Sequence, residues 1–283
     1  MKTTIKSIFI FCLLFIVSLS LKAQVGIGTT NPNASAQLDV SSTTKGFLPP
    51  RMTFAQRNAI ASPVQGLIIY CTDCVANGQI QVYNGNSWVY FDGQPFSVRI
   101  GTQVWMTENL NVATYRDGTL IPQVTDPTAW AGLTTGAWCW YNNDPTNGAI
   151  YGKLYNWYAV ADSIGLCPLG WHVPTDAEWT TLNNFLGGES IAGGKMKSTS
   201  SLWNTSYYSN MGATNESGFT GHPGGSRYNG GAFWDLGILG YWWSASQYDA
   251  MNAWYEKLII NNNSSFKNKW AKSIACSVRC IKD

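Results

Sequence analysis

Six cysteines lie beyond Cys12 in this chain of 283 residues: Cys71, Cys74, Cys139, Cys167, Cys276 and Cys280. Their covalent options constrain the fold more than any other feature. An even number of cysteines in an oxidising compartment favours bridges over metal ligation or nucleophilic chemistry. The N-terminus supplies the compartment. Lys2 and Lys6 precede an apolar and hydroxyl run over residues 7–21, closed by Lys22 and the small residue Ala23. That is the layout of a secretory signal peptide, residues 1–23, with cleavage after Ala23. The run is short for a bilayer span and no stop-transfer pattern follows it, so no membrane span is expected after removal. Cys12 falls inside the run, and no cysteine stands at the cleavage point to carry a lipid. The mature chain is therefore expected to be extracytoplasmic, either secreted or at the cell surface.

Spacing decides part of the connectivity. Residues 273–282 (SIACSVRCIK) alternate like a strand, which places Cys276, Val278 and Cys280 on one face. Two residues four apart on a strand are separated by about 13 Å between Cα atoms, roughly twice what a disulfide spans. Each must reach elsewhere, and Cys139 and Cys167 are available. The preferred pairing is Cys167 with Cys280 and Cys139 with Cys276, with the swapped pairing open. Cys71 and Cys74 (CTDC) are close enough to close a tight turn. A zinc site built on that pair would lack its other two ligands, because no second CxxC and no paired histidines exist.

Charged residues make up only 12% of the chain and the net charge is +2, so neither a basic surface for nucleic acid nor an acidic block is present. Aromatic residues reach 14%, with 14 tryptophans, yet only Trp88 precedes position 100. This asymmetry divides the mature chain into residues 24–95 and 96–283. The first part is rich in Gly, Asn, Ser and Thr, with short apolar stretches (QLDV, GLIIYC, IQVYN, SWVYF) between turn signals, and reads as a small β-rich module of short strands and turns. The second opens with a strand-like SVRIGTQVWM and continues with two amphipathic helices. In YGKLYNWYAVA, Leu154, Trp157, Tyr158 and Ala161 recur at helical spacing. The other helix opens at Pro174 and Thr175, with Thr175 and Glu178 forming a capping box and Trp179, Leu182, Phe185 and Leu186 an apolar stripe. A long Gly-rich stretch over 187–240 reads as loop, and three β-like segments follow (YWWSASQY, NAWYEKLII, SIACSVRCIK). The plan is α+β, with an antiparallel terminal sheet.

The wording of residues 25–73, which opens VGIGTTNPNASAQLDV and closes GLIIYCTD, resembles the N-terminal segment of phage tail-fibre-like and surface proteins of Bacteroidetes-type bacteria. That resemblance implies a stalk or attachment module able to form a homotrimer; the alternative reading is a linker with one hairpin. VRIGTQVWMTENLN, YGKLYNWYAV, CPLGWHVPTDAEWTTL, SGFTGHPGGSRYNGGAF, YWWSAS and SVRCIKD, in order over 98–283, resemble the Fibrobacter succinogenes major paralogous domain. This implies a C-type lectin-like fold for the second module. HVPTDAEW and VRCIKD also resemble the formylglycine-generating enzymes of that fold. Those enzymes imply a copper-dependent oxidase whose cysteine pair would here be Cys276 and Cys280. Two further cysteines able to bridge that pair depart from this pattern.

No GxSxG, P-loop or HExxH pattern is present; of the carboxylates near His172, Asp176 and Glu178, the latter is committed to its capping box. No catalytic residue and no cofactor are assigned. The Glu-Pro-Asn, Gln-Pro-Asp and Trp-Asn-Asp signatures of calcium-dependent sugar-binding lectins are also absent; WNT at 203–205 is the nearest approach. Clustered oxygens at Asn143, Asp144 and Asn147 could suit calcium, though Asn-Asp-Pro-Thr equally makes a turn. A ligand surface is expected between 241 and 270, where Trp243, Tyr248, Trp254, Tyr255, Asn261, Asn262, Asn263 and Ser264 mix rigid aromatic area with small hydrogen-bonding groups. The alternative there is an NNNSS hairpin turn between strands with inward aromatics. The expected function is a surface-exposed binding or adhesion protein for a glycan or protein ligand. Its alternatives are the oxidase and a structural fibre component.

Overall fold

The computed structural model describes residues 24–74, 78–91, 96–206 and 208–283. The export signal, residues 1–23, lies outside them. The chain divides into two compact units, one up to Pro49 and one from Pro50 onward. In the first, β1 (Val25–Ile27) pairs in parallel with β2 (Leu38–Val40), and Val25 faces Leu38 while Ile27 faces Val40.

The second unit begins with a four-stranded sheet of β3 (Arg51–Met52), β4 (Ile68–Cys71), β5 (Gln79–Tyr83) and β6 (Trp88–Tyr90), in that order. Helix α1 (Phe54–Asn58) packs beside it, opened by a Thr53/Gln56 capping box. The buried Arg57 guanidinium stacks 4.5 Å from the Phe54 ring centroid, donates to Gln81 Oε1 and pairs with Glu108 at 3.2 Å. Cys71 and Cys74 are bridged.

The segment 97–106 is a hairpin: β7 (Ser97–Ile100) turns back through Gly101, at φ +61°, into β8 (Gln103–Met106). Only glycine fits that turn, because the Phe185 ring lies 2.7 Å from where a Cβ would stand. Strands β9 (Trp138–Cys139), β10 (Leu154–Asn156), β11 (Trp171–His172), β12 (Gly224–Arg227) and β13 (Phe233–Leu236) are short. The long ones are β14 (Leu239–Gln247), β15 (Asn252–Ile259) and β16 (Ser265–Ala271), a three-stranded antiparallel sheet, followed by β17 (Ala275–Cys276) and β18 (Ile281–Lys282). The remaining helices are α2 (Pro127–Ala131), α3 (Pro145–Tyr151), α4 (Trp157–Val160), α5 (Asp176–Phe185) and α6 (Glu189–Met196). The architecture is mixed α+β with a β-rich N-terminal part. Ile281 pairs with Trp105, so the end of the chain closes against β8 in the sheet β11-β18-β8-β7.

Four expectations are corrected. Residues 151–161 are not one helix. Gly152 at φ +75° ends α3, and Leu154–Asn156 form a strand between β9 and β17, from which Asn156 caps the single turn α4. The two-sided strand buries Leu154, Tyr155 and Asn156 together, so an apparent helical period arose from side chains covered on both faces. Residues 273–282 split into β17 and β18, which belong to different sheets. The Gly-rich stretch 187–240 is not all loop, since it holds α6, β12 and β13.

The fourth correction concerns the cysteines. Cys167 and Cys280 are bridged, but Cys139 and Cys276 are free, buried thiols. In the order β13-β12-β17-β10-β9 the two flank β10, with Cys139 opposite Leu154 and Cys276 opposite Tyr155. Two strand spacings put them about 9.5 Å apart, beyond the roughly 7 Å limit for a bridge. Neighbouring residues of β10 also point to opposite faces, so the two thiols lie on different sides of the sheet. The clusters agree: Cys139 packs with Trp130 and Leu154, and Cys276 with Tyr155, Trp243 and Tyr255.

Candidate functional site

The eight residues expected to form a ligand surface separate into three places. Trp243 and Tyr255 are core, 0% and 6% exposed, and the Trp243 indole donates to Tyr155 O. Asn261, Asn262, Asn263 and Ser264 form the turn between β15 and β16, about 25 Å along the strand from Trp254. That turn is built around a buried cation. Lys197 Nζ sits 2.7–3.0 Å from the carbonyls of Met211, Ile259, Ile260 and Asn262, and burial pushes its pKa down to about 8. Asn262 Oδ1 accepts from Ser264 N, and Asn263 O accepts from Gly194 N.

Tyr248 and Trp254 do meet, edge to face at 4.8 Å, on the solvent side of the sheet. Their rings are already covered by cations. Lys269 Nζ lies 3.8 Å from the Tyr248 centroid and Lys267 Nζ 4.6 Å from that of Trp254, with Lys267 also paired to Asp176 at 2.9 Å. A ligand stacking on either ring must displace an ammonium that the ring itself attracts.

An uncovered aromatic surface lies on the β12–β13 hairpin, in a different sheet, which meets β16 at Trp270. Trp234, on β13, is 56% exposed, while most of the other tryptophans are buried. Its ring meets Tyr228 edge-on at 6.2 Å; Tyr228 in turn meets Trp270 at 5.1 Å, and Trp270 packs on Tyr241 and Tyr255. The local chain explains the exposure. Gly225 on β12 and Asp235 on β13 both have positive φ, and a Cβ on Gly225 would come within 2.4 Å of Trp234 O. Asp235, at φ +71°, is a strained position for a residue with a side chain. Its Oδ2 accepts the Tyr241 hydroxyl at 2.8 Å. Burial first, then the Asp235 carboxylate, by its charge at Tyr228 and by its hydrogen bond and charge at Tyr241, raises the pKa of both phenols. Exposed indole, phenol hydroxyls and a carboxylate thus lie together, a set able to stack on an apolar ring face and exchange hydrogen bonds with hydroxyl groups.

Sequence reasoning missed Tyr228, Trp234, Asp235 and Trp270. A signal was present: RYNGGAFWDL carries an Asn-Gly-Gly turn between strand-forming residues, and Tyr228 N donates to Ala232 O across it.

The other candidates take local roles. Asp144 Oδ1 caps α3 through the amide and hydroxyl of Thr146, Asn143 Nδ2 donates to Thr125 O, and Asn147 Nδ2 donates to Tyr141 O. Glu178 serves two partners: Oε2 closes the capping box and Oε1 lies 2.9 Å from His172 Nε2, while His172 Nδ1 lies 2.6 Å from Asp283. His222 is half-buried, with Nδ1 3.0 Å from Ser198 Oγ, and desolvation with the charge of Arg279 pushes its pKa down to about 4. Phe185 falls off the α5 stripe and is 63% exposed, because it sits about 100° round the helix from the direction shared by Trp179, Leu182 and Leu186. Beneath it an open groove of about 530 Å³ is lined by Arg99, Thr102, Gln103 and Thr181. No helix among the described residues is long and apolar enough to cross a membrane.

Two family models match the chain. One, described as a phage tail like trimerisation region, covers residues 26–103; the other, described as the Fibrobacter succinogenes major domain, covers residues 98–282. No curated protein and no solved structure matches. Because the second match spans well over half of the 283 residues, this chain belongs to the Fibrobacter succinogenes major domain family.

Proposed function

We propose that the chain is an exported surface protein that holds a glycan or surface-protein ligand on the Trp234 face of its C-terminal domain, without catalysis and without a cofactor. The carrying observation is the exposed Trp234 indole beside Tyr228 and the strained backbone of Asp235. Strain of that kind concentrates where a site needs a group held in one place. Both family matches fit a surface protein. The closing of β18 against β8 and the Cys167–Cys280 bridge support a C-type lectin-like arrangement of the domain.

The oxidase reading needs Cys276 and Cys280 as a pair of thiolates. Cys280 is bonded to Cys167, and burial raises the Cys276 thiol well above its ordinary pKa. Both observations favour binding over catalysis. A glycan array together with a pull-down from bacterial surface extracts tests the proposal, using wild type, Trp234→Ala and Trp254→Ala. Capture by wild type and Trp254→Ala but not by Trp234→Ala is expected. Equal capture by all three would remove the site.

A further inference from the structure

We infer that the Cys71–Cys74 bridge is a thiol–disulfide exchange site, which accepts two electrons from a dithiol outside the chain through attack at Cys74. The two sulfurs are not equivalent. Cys71 ends β4 and is 0% exposed, whereas Cys74 is half-buried and is the sulfur that an external group reaches. Arg57 Nη1 stands 3.8 Å from Cys74 Sγ, on a side chain that is itself 2% exposed. Asp73 Oδ1 stands 3.6 Å from Cys71 Sγ and is fixed by accepting the amide of Phe54. A cation beside one sulfur favours the thiolate there, and an anion beside the other favours the thiol. Asn58, Gln81 and Glu108 hold the guanidinium in place, so it meets a charge appearing on Cys74 without rearranging. Stability gives the bridge little to do, because its residues are three apart and it restricts the unfolded chain far less than a long loop does.

The exchange balances. A client thiolate attacks Cys74 Sγ, the bond between the two sulfurs breaks, and its electron pair passes to Cys71 Sγ, which takes a proton from water by way of the Asp73 carboxylate. The client's second thiolate then attacks the client sulfur of the mixed disulfide and releases Cys74 as a thiolate facing Arg57. The client dithiol has lost two electrons and become a disulfide, and the bridge has become the Cys71 thiol and the Cys74 thiolate. Each chain serves one equivalent of client until another disulfide restores the bridge. Cys167 and Cys280, 1% and 0% exposed, offer no sulfur to such an attack. The exchange site belongs to the β3–β6 sheet and does not depend on the ligand proposed for the Trp234 face.

Dithiothreitol serves as the test dithiol, added in graded amounts to the chain from Gln24 to Asp283, with acid quenching, alkylation and peptide masses as the readout. Cys71–Cys74 should open, consuming one equivalent, under conditions that leave Cys167–Cys280 closed. In the chain so reduced, Cys74 should react with iodoacetamide at pH 6.5 about fivefold faster than a cysteine in an unstructured peptide, because a larger thiolate fraction outweighs its lower nucleophilicity. Arg57→Gln should bring that rate down to the level of the peptide. Glu108→Gln, at a side chain 40% exposed, removes the anion that shares the guanidinium and should raise the rate about twofold. The opposite signs separate an effect of charge from a loss of packing, and Glu108→Gln keeps the test open if Arg57→Gln does not fold. Opening of both bridges together, a Cys74 rate no higher than that of the peptide, or a Glu108→Gln rate at or below wild type overturns the inference.

Discussion

Removing the Cys167–Cys280 bridge should cost far more stability than removing Cys71–Cys74, and the difference can be worked from chain length. The first bridge closes a loop with a sequence separation of 113 residues, the second one of 3. In the chain-entropy account, a loop of about 110 residues restricts the unfolded chain by about 4.7 kcal/mol at 25 °C, and the short turn by about 1.5–2 kcal/mol. Cys167 and Cys280 are also 1% and 0% exposed within the principal core, so replacement there leaves a small cavity that adds to the loss. Urea unfolding followed by tryptophan fluorescence measures both effects. With a slope of about 2–3 kcal/mol/M for a chain of this size, Cys167→Ala/Cys280→Ala should lower the midpoint by about 2 M. Cys71→Ala/Cys74→Ala should lower it by less than about 1 M. If the two double variants lose equal stability, loop closure is not what the longer bridge contributes, and the assignment of a constrained unfolded state fails.

Two further outcomes concern titration and thiols. Burial alone would lower the His172 pKa, but hydrogen bonds and charge from Asp283 and Glu178 outweigh it and raise it above 6.5. The charged imidazole therefore contributes stability that is fully present below about pH 6.5 and is lost as pH rises through the raised folded-state value. The half-exposed pair limits this to under about 1 kcal/mol. Urea midpoints from pH 5.5 to 8.5 should fall more for wild type than for His172→Gln, and parallel curves would refute the linkage. Burial also raises both free thiols, Cys139 to about 12 and Cys276 well above its ordinary value. Iodoacetamide at pH 8 should leave the native chain from Gln24 onward unmodified and label two cysteines in urea. Finding none in urea would mean that Cys139 and Cys276 are bridged after all.

Much of the framework was legible because it rests on local chemistry. Thr175 and Glu178 cap α5 as their spacing required, the stretches QLDV, GLIIYC and SWVYF contain β2, β4 and β6, and IQVYN holds all of β5 but Gln79. The preferred pairing of Cys167 with Cys280 is found, but the reach argument excluded only Cys276 with Cys280, left the swapped pairing open, and assumed a shared strand that residues 273–282 do not form. What failed was non-local. Leu154–Asn156 reads as helix until it is known that β9 and β17 cover both of its edges. The pairing of Cys139 with Cys276 fails only because β10 lies between them. At the site, aromatic content pointed to the sheet β14-β15-β16, whereas the exposed Trp234 lies on β13 of a different sheet. Covering of Trp254 by Lys267 depends on β15–β16 register, and exposure of Trp234 depends on paired positive φ angles at Gly225 and Asp235. Neither can be read from the neighbouring letters of the chain.

The most direct test of the account is calorimetric titration of the tightest array ligand into wild type and Trp234→Ala at matched protein concentration. Loss of the exposed indole should weaken binding at least about tenfold, or 1.4 kcal/mol, with near-ultraviolet spectra unchanged. An unaltered Kd for Trp234→Ala would contradict the claim that this face of the domain carries the ligand.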